Sequence, residues 1–180
     1  MKPAKVGAAA VAVVLVAFIA VLVVSDGETG VGARSPLLGQ PAPAIVTTTI
    51  DDAPFDLARR KGSWVVFNFF NSTCVPCIAE HSSLVRFVAD EAERVDGVEF
   101  FTVVNDDADD AVRDFFTAND GKWPKLRDDD GSIAVAFGVA KVPETWIIDS
   151  NGFVRLRILG AVVDGVLEEQ MAQLRSTQGS

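Results

Sequence analysis

The segment that most constrains this chain lies between positions 64 and 95. Trp64 to Phe70 (WVVFNFF) is almost continuously apolar, as a central strand buried on both faces must be. Three residues later comes Cys74-Val75-Pro76-Cys77. From Cys77 to Val95, Leu84, Val85, Val88, Ala92 and Val95 recur at the helical period. A buried strand therefore runs straight into an amphipathic helix, with two cysteines at the junction. A strand that needs cover on both faces and a helix that can supply it argue for a layered α/β domain.

The rest of the chain fits that frame. Ile45 to Ile50 and Phe55 to Leu57 read as short strands about the turn Asp51-Asp52-Ala53-Pro54. Val98 to Val104 (VEFFTVV) is a second buried strand. Asp107 to Ala118 reads as a helix with an acidic start that suits its dipole and an apolar face of Ala111, Val112, Phe115 and Phe116. Ser132 to Phe137 is a short helix. Trp146 to Asp149 and Phe153 to Leu159 form a hairpin about Ser150-Asn151-Gly152. Gly165 to Leu174 closes the chain as a helix. This order gives an α/β sandwich with a mixed sheet. The three tryptophans, Trp64, Trp123 and Trp146, are expected in the core.

The N-terminus is of another kind. Val6 to Val24 is a 19-residue run without a charge, preceded by Lys2 and Lys5. At about 1.5 Å per residue it nearly spans the roughly 30 Å hydrocarbon core of a bilayer. It exceeds the usual signal-peptide core of about 7–15 residues, and no clear cleavage site follows it; Val23-Val24-Ser25 is a weak candidate. An uncleaved signal anchor is favoured over a cleaved signal. It would leave residues 1–5 cytoplasmic, 6–24 in the membrane and the domain on the outer or periplasmic side. Asp26 to Gln40, rich in glycine and small polar residues, is expected to be a tether. Beyond the run stand 14 basic against 25 acidic side chains, a net of −11. Nucleic acid is a poor partner for such a domain, and solubility accounts for the acid excess.

The two cysteines sit where chemistry is favoured. In an oxidising compartment they tend to pair. A thiolate at a helix N-terminus meets unpaired N–H groups and the positive end of the dipole, which makes it available near neutral pH. Pro76 costs the first helical turn little. Cys74 is expected to be the exposed nucleophile and Cys77, one turn in, the buried resolving thiol. A purely structural staple closing so short a loop would add little stability. A zinc site needs about two more ligands; His81 is the only histidine and no second C-x-x-C exists. No metal and no cofactor are expected.

Four segments resemble the membrane-anchored thioredoxin-like thiol–disulfide oxidoreductases of the TlpA/ResA and CcmG/DsbE group, over roughly Gln40 to Leu174. They are Leu38-Gly39-Gln40-Pro41-Ala42-Pro43; Phe67-Asn68-Phe69-Phe70 with Cys74 to His81; Asp128-Asp129-Asp130-Gly131 with Ala136-Phe137-Gly138-Val139; and Val142-Pro143-Glu144-Thr145-Trp146-Ile147-Ile148-Asp149 with Asn151-Gly152. The resemblance implies a thioredoxin-like mixed sheet flanked by helices over residues 40–176. It implies a Cys74–Cys77 disulfide and a cis Pro143 facing it, with Val142 offering its backbone to an extended client. Glu80 is implied as a carboxylate that takes or gives a proton as the thiols cycle, if burial raises its pKa; a solvated helix face is the alternative. Glu144 is implied as a rim residue tuning partner choice, or else an exposed strand-end charge. Thr73, Val75 and Pro76 would contact the client. His81 is expected on the helix surface. One departure stands out: the group usually has Trp immediately before the first cysteine, and here it is Thr73, with polar Asn71 and Ser72 beside it.

Other clusters read as structure. Asp106, Asp107, Asp109 and Asp110 suit a loop and helix cap. Asp128-Asp129-Asp130-Gly131 fails the EF-hand pattern, with Leu126 and Phe137 where acids belong, and reads as a turn. A peroxiredoxin site wants Thr three residues before its cysteine, where Asn71 stands. Copper-delivery relatives use a wider cysteine spacing.

The expected function is extracytoplasmic thiol–disulfide exchange. The resemblance implies reduction of apocytochrome c, or of its maturation partner, during cytochrome c biogenesis, with a membrane thiol electron donor. The alternatives are a general extracytoplasmic reductase or oxidase with other clients, and a non-catalytic binding module with a structural disulfide.

Overall fold

The structure, a computed structural model, describes Val14 and residues 30–178. The expected anchor therefore lies outside the described residues, except for Val14, which is helical. Among the described residues no helix is long and apolar enough to cross a membrane.

The strands are β1 (Gly30–Val31), β2 (Val46–Thr48), β3 (Pro54–Asp56), β4 (Val65–Phe70), β5 (Glu99–Val104), β6 (Lys125–Arg127), β7 (Glu144–Ile148) and β8 (Val154–Leu159). The α-helices are α1 (Val75–Ala92), α2 (Asp109–Asn119), α3 (Ser132–Phe137) and α4 (Val166–Gln178), with a 3₁₀ turn at Leu57–Arg60. Six strands form one mixed sheet in the order β1-β8-β7-β4-β5-β6, and β2 pairs with β3 in a separate hairpin. The β4, β5 and β6 strands are parallel, while β7, β8 and β1 run antiparallel to their neighbours.

Central β4 is buried along its whole length, and the pleat divides it between two cores. Val66 and Phe70 pack with Leu84 and Phe87 of α1, Val112 and Phe116 of α2, and Leu167 and Met171 of α4. Val65, Phe67 and Phe69 pack on the opposite face with Phe55, Ile133, Phe137 and Trp146. All three tryptophans are buried. Asp128 caps α3, its carboxylate accepting from the Ile133 and Ala134 N–H groups at 2.8 and 2.9 Å.

Several expectations are corrected. Helix α1 starts at Val75 and stops at Ala92, so Val95 lies outside it and is fully exposed. Its buried stripe is Cys77, Glu80, His81, Leu84, Phe87 and Glu91; three of these are polar, which is why the apolar period placed the stripe off by part of a turn. Ala111 of α2 is exposed, whereas Val112 and Phe116 are buried. Strand β6 was not anticipated, because Lys125-Leu126-Arg127 has one apolar residue. Leu126 is buried, and the Lys125 ammonium lies 4.1 Å above the Phe116 ring.

The expected tether departs furthest from a free linker. Gly30 and Val31 pair with Leu159 and Ile158, and Gly32 and Ala33 donate to the Arg157 carbonyl at 3.0 and 3.1 Å. Gly39 donates to the Val154 carbonyl at 2.8 Å, Val154 donates to the Gln40 carbonyl at 2.9 Å, and Pro41 bridges Phe153. The segment thus covers the open edge of β8 from end to end, a protected edge of the sort sheets require.

Candidate active site

The site forms where β4 ends. Phe70 is followed by a three-residue polar loop, and Cys74 then caps α1. The loop holds itself together through side chains. Asn71 accepts from the Thr73 N–H (2.9 Å) and hydroxyl (2.6 Å) and donates to the Asn105 and Asp106 carbonyls at 3.1 and 2.8 Å. The Ser72 N–H donates to Asp107 at 2.5 Å. Thr73 is thus one member of a network bonding the cysteine loop to the end of β5, and it is exposed.

Cys74 and Cys77 are joined in a disulfide with Cα atoms 5.2 Å apart. Cys77 is fully buried and Cys74 half-buried, the asymmetry expected of a resolving and an attacking sulfur. The Cys77 N–H donates to Cys74 Sγ at 3.3 Å. The amide that would stabilise a thiolate there is therefore already aimed at it. Across from the disulfide, the Val142–Pro143 bond is cis and the Val142 carbonyl lies 3.6 Å from Cys74 Sγ. Val75, Pro76 and Ile78, in the first turn of α1 beside the two cysteines, are exposed apolar residues, Val75 being 74% exposed.

Beneath the disulfide lies a buried carboxylate. Glu80, one turn after Cys77, is 1% exposed. It accepts from Asn68 Nδ2 at 2.9 Å and from the Val162 N–H at 2.7 Å. Burial pushes its pKa up to about 7, against the two hydrogen bonds that favour the anion. The solvated-face alternative for Glu80 is excluded by this burial. Asn68 also donates to Thr145 at 3.2 Å, while its own buried Oδ1 has no partner among the described residues.

Two expectations about polar residues are corrected. Glu144 is not at a rim: it is fully buried and forms a two-pronged ion pair with Arg157, Nε to Oε1 at 2.7 Å and Nη2 to Oε2 at 3.1 Å. Arg157 lies over the Trp146 ring and also donates to the Arg34 and Gly138 carbonyls. It thereby ties the strand after Pro143 to the end of α3 and to the N-terminal segment. His81 is not a surface residue. It is buried against Phe115, Phe116 and Trp123, and its Nε2 lies 3.2 and 3.1 Å from the Asn119 and Asp120 carbonyls. Since both partners are acceptors, Nε2 carries the proton and donates, and burial holds the His81 pKa below its usual value.

The structure thus brings Cys74, Cys77, Val142, Pro143 and Glu80 together, with Thr73, Val75 and Pro76 on the exposed side, and sends Glu144 behind the sheet surface. Asn68, Val162 and Arg157 were not singled out from the sequence. The signal for Asn68 was available: it is the one polar residue in an otherwise apolar buried strand. No group of three metal-ligating side chains occurs among the described residues.

Comparison with known proteins agrees with this geometry. Residues 38–157 match the AhpC/TSA family model. The chain is 31% identical over 137 residues to the thiol-disulfide oxidoreductase ResA of Bacillus thuringiensis, covering 76% of this chain and 78% of that one. It is 31% identical over 141 residues to the thiol:disulfide interchange protein HelX of Rhodobacter capsulatus, covering 77% of each. It is 30% identical over 153 residues to DsbE of Yersinia pestis, covering 83% of this chain and 79% of that one. A secreted Mycobacterium tuberculosis disulfide oxidoreductase shares the fold, with a TM-score of 0.65 at 24% identity over 72% of this chain and 95% of that one. The thioredoxin-like architecture, the paired cysteines at the head of α1 and these relatives together place the chain in the AhpC/TSA family, among its thioredoxin-like thiol–disulfide oxidoreductases.

Proposed function

We propose that this protein is an extracytoplasmic, membrane-anchored thiol–disulfide oxidoreductase that reduces disulfides of apocytochrome c, or of a partner in its maturation. The observation that carries the reading is the layered site: a half-exposed Cys74 sulfur beside the Val142 carbonyl, a buried Cys77, and a buried Glu80 beneath.

In the reduced protein the Cys74 thiolate attacks a sulfur of the client disulfide. A mixed disulfide forms and the client's other sulfur leaves as a thiolate. The Val142 carbonyl beside Cys74 and the exposed apolar side chains of Val75, Pro76 and Ile78 suit an extended client segment that pairs through its backbone. Cys77 then attacks Cys74 Sγ, releasing the client as a dithiol and leaving the Cys74–Cys77 disulfide. Two electrons pass to the client. Cys77 must lose its proton in that step, inside a site closed to water. Glu80, one turn further along the same face of α1 and with a pKa of about 7, is half ionised near neutral pH and can take that proton and return it. A membrane thiol carrier restores the dithiol.

Two measurements test the reading. The midpoint potential of the pair should lie near or below about −220 mV, the reductant end of the thiol scale; a value near about −120 mV would make the protein a disulfide donor. Cells carrying Cys74→Ser should be depleted in holo-cytochromes c; normal levels would leave a general reductase with other clients.

A further inference from the structure

The path of the N-terminal segment sets the end of the sheet at which the chain enters the domain. Strand β8 runs toward the active-site end of the sheet. Its last residue, Leu159, pairs with Glu144, next to Pro143, and with Gly30 on the other side. Gly160 donates to the Pro143 carbonyl at 3.1 Å. Because β1 is antiparallel to β8, the chain enters the domain at Gly30, level with the Cys74 site, and then runs away from it to Gln40 at the far end. Gly30, Leu159, Glu144 and Phe69 form one row across the sheet. At about 4.8 Å between strands, Gly30 stands roughly 15 Å from the end of β4.

Only Ser25 to Thr29 separate this entry point from the apolar run. Six extended steps reach at most about 20 Å. Entry at Gln40, at the opposite end, would have put the same site a full strand length further off and facing away. Arg157 reinforces the docking, since the guanidinium that binds Glu144 also holds the Arg34 carbonyl at 3.0 Å.

We infer that the docked segment 30–41 holds the Cys74–Cys77 face toward the bilayer, within a few tens of ångströms of it, so that this face serves reactive cysteines carried at the membrane surface by an integral membrane protein. The inference rests on reading residues 6–24 as an uncleaved anchor. The occupant is a protein rather than the lipid itself. Asp106, exposed, and Asp107 flank the cysteine loop and disfavour anionic headgroups, whereas Val75, Pro76 and Ile78 offer a small apolar docking surface.

The test uses the full chain in vesicles of mixed neutral and anionic lipid, with an acceptor dye on the headgroups. A donor dye is placed either on Cys74 in Cys77→Ser, or on position 151 in Cys74→Ser/Cys77→Ser/Asn151→Cys. Asn151 is exposed at the far turn. The positions differ in height by roughly 20 Å, six residues at about 3.3 Å, and transfer from Cys74 should be roughly twofold or more the stronger. Equal transfer, or stronger transfer from position 151, overturns the orientation. Weak transfer from both, with the protein recovered in the supernatant after carbonate washing, shows that the anchor reading itself has failed. In a third protein, twenty Gly/Ser residues inserted after Gly27 add roughly 25 Å of reach and should erase the asymmetry. Persistence there would mean that the face binds lipid by itself, and would overturn the tether argument.

Discussion

Replacing Glu80 by glutamine isolates the cost of a buried carboxylate. The folded protein holds the Glu80 pKa at about 7, against 4.5 for an unperturbed side chain. A folded-state pKa that is raised means the folded state binds a proton more tightly than the unfolded chain. Below pH 4.5 both states are protonated and Glu80 is neutral in the fold. As pH rises from 4.5 to 7 the unfolded chain ionises first, and stability falls. Above 7 both are ionised and the whole penalty is present, about 3 kcal/mol at 1.36 kcal/mol per unit. Glutamine keeps the shape without the charge. Its carbonyl can accept from the Val162 N–H, and its amide can donate to the Oδ1 of Asn68 once that amide turns over. The Asn68 oxygen, without a partner among the described residues, is thus an acceptor the substitution can use.

The assay is thermal or urea denaturation of oxidised protein between pH 5 and pH 8, wild type beside Glu80→Gln. The variant should be the more stable at pH 8, and its advantage should shrink by about 2–3 kcal/mol on going to pH 5. For a domain of this size that corresponds to a change of roughly 4–12 °C in the difference between the two Tm values. A difference that does not vary with pH would refute the buried-carboxylate argument, and with it the proton-relay role. The resolution step, followed as release of a dithiol client, should slow in the variant above pH 6 while formation of the mixed disulfide does not.

Other perturbations reach other parts of the structure. Arg157→Met should cost about 3–5 kcal/mol, because it strands the buried Glu144 carboxylate, and Glu144→Leu with Arg157→Met should recover most of the loss; urea midpoints decide, and equal stability of all three proteins would refute the pairing. Cys74→Ser should abolish insulin or apocytochrome reduction. It should change stability by only about 2 kcal/mol or less, since so short a loop loses little closure entropy; failure to fold would favour the staple reading. Burial lowers the Lys125 pKa to about 8, so the charged ammonium costs stability below pH 8 and that cost fades as pH rises to 10.5. The stability of Lys125→Met relative to wild type should therefore fall between pH 7 and 10.5, as read by denaturation at each pH.

Apolar periodicity made the sheet and helices legible, and it failed where polar side chains are buried. The central strand, the cysteine turn and the β7–β8 hairpin each depend on residues close in sequence, so composition located them within a few positions. The stripe of α1 was misplaced because Glu80, His81 and Glu91 face inward, and nothing in the helix itself says so. Each is admitted to the core by a partner far along the chain: Glu80 by the Val162 amide, 82 residues away; His81 by the carbonyls of Asn119 and Asp120; Glu91 by Arg175, 84 residues away. Burial of a charge is decided by whether such a partner exists, and that is a property of topology rather than of local pattern. Glu144 followed the same rule. Its neighbours suggested a rim, and Arg157, on the adjacent strand, draws it inside. Tether and strand β1 differ in the same way, since Gly30 and Val31 have little strand character and are ordered by the free edge of β8. The residues on which the proposed chemistry depends are thus of two kinds. Cys74 and Cys77 announce themselves by spacing at a strand–helix junction, whereas Glu80 acquires its pKa only when β4, α1 and the loop after β8 close over it. A chain with the same two cysteines and no Val162 amide or Asn68 in reach would keep the disulfide and leave a buried Glu80 anion without its two donors.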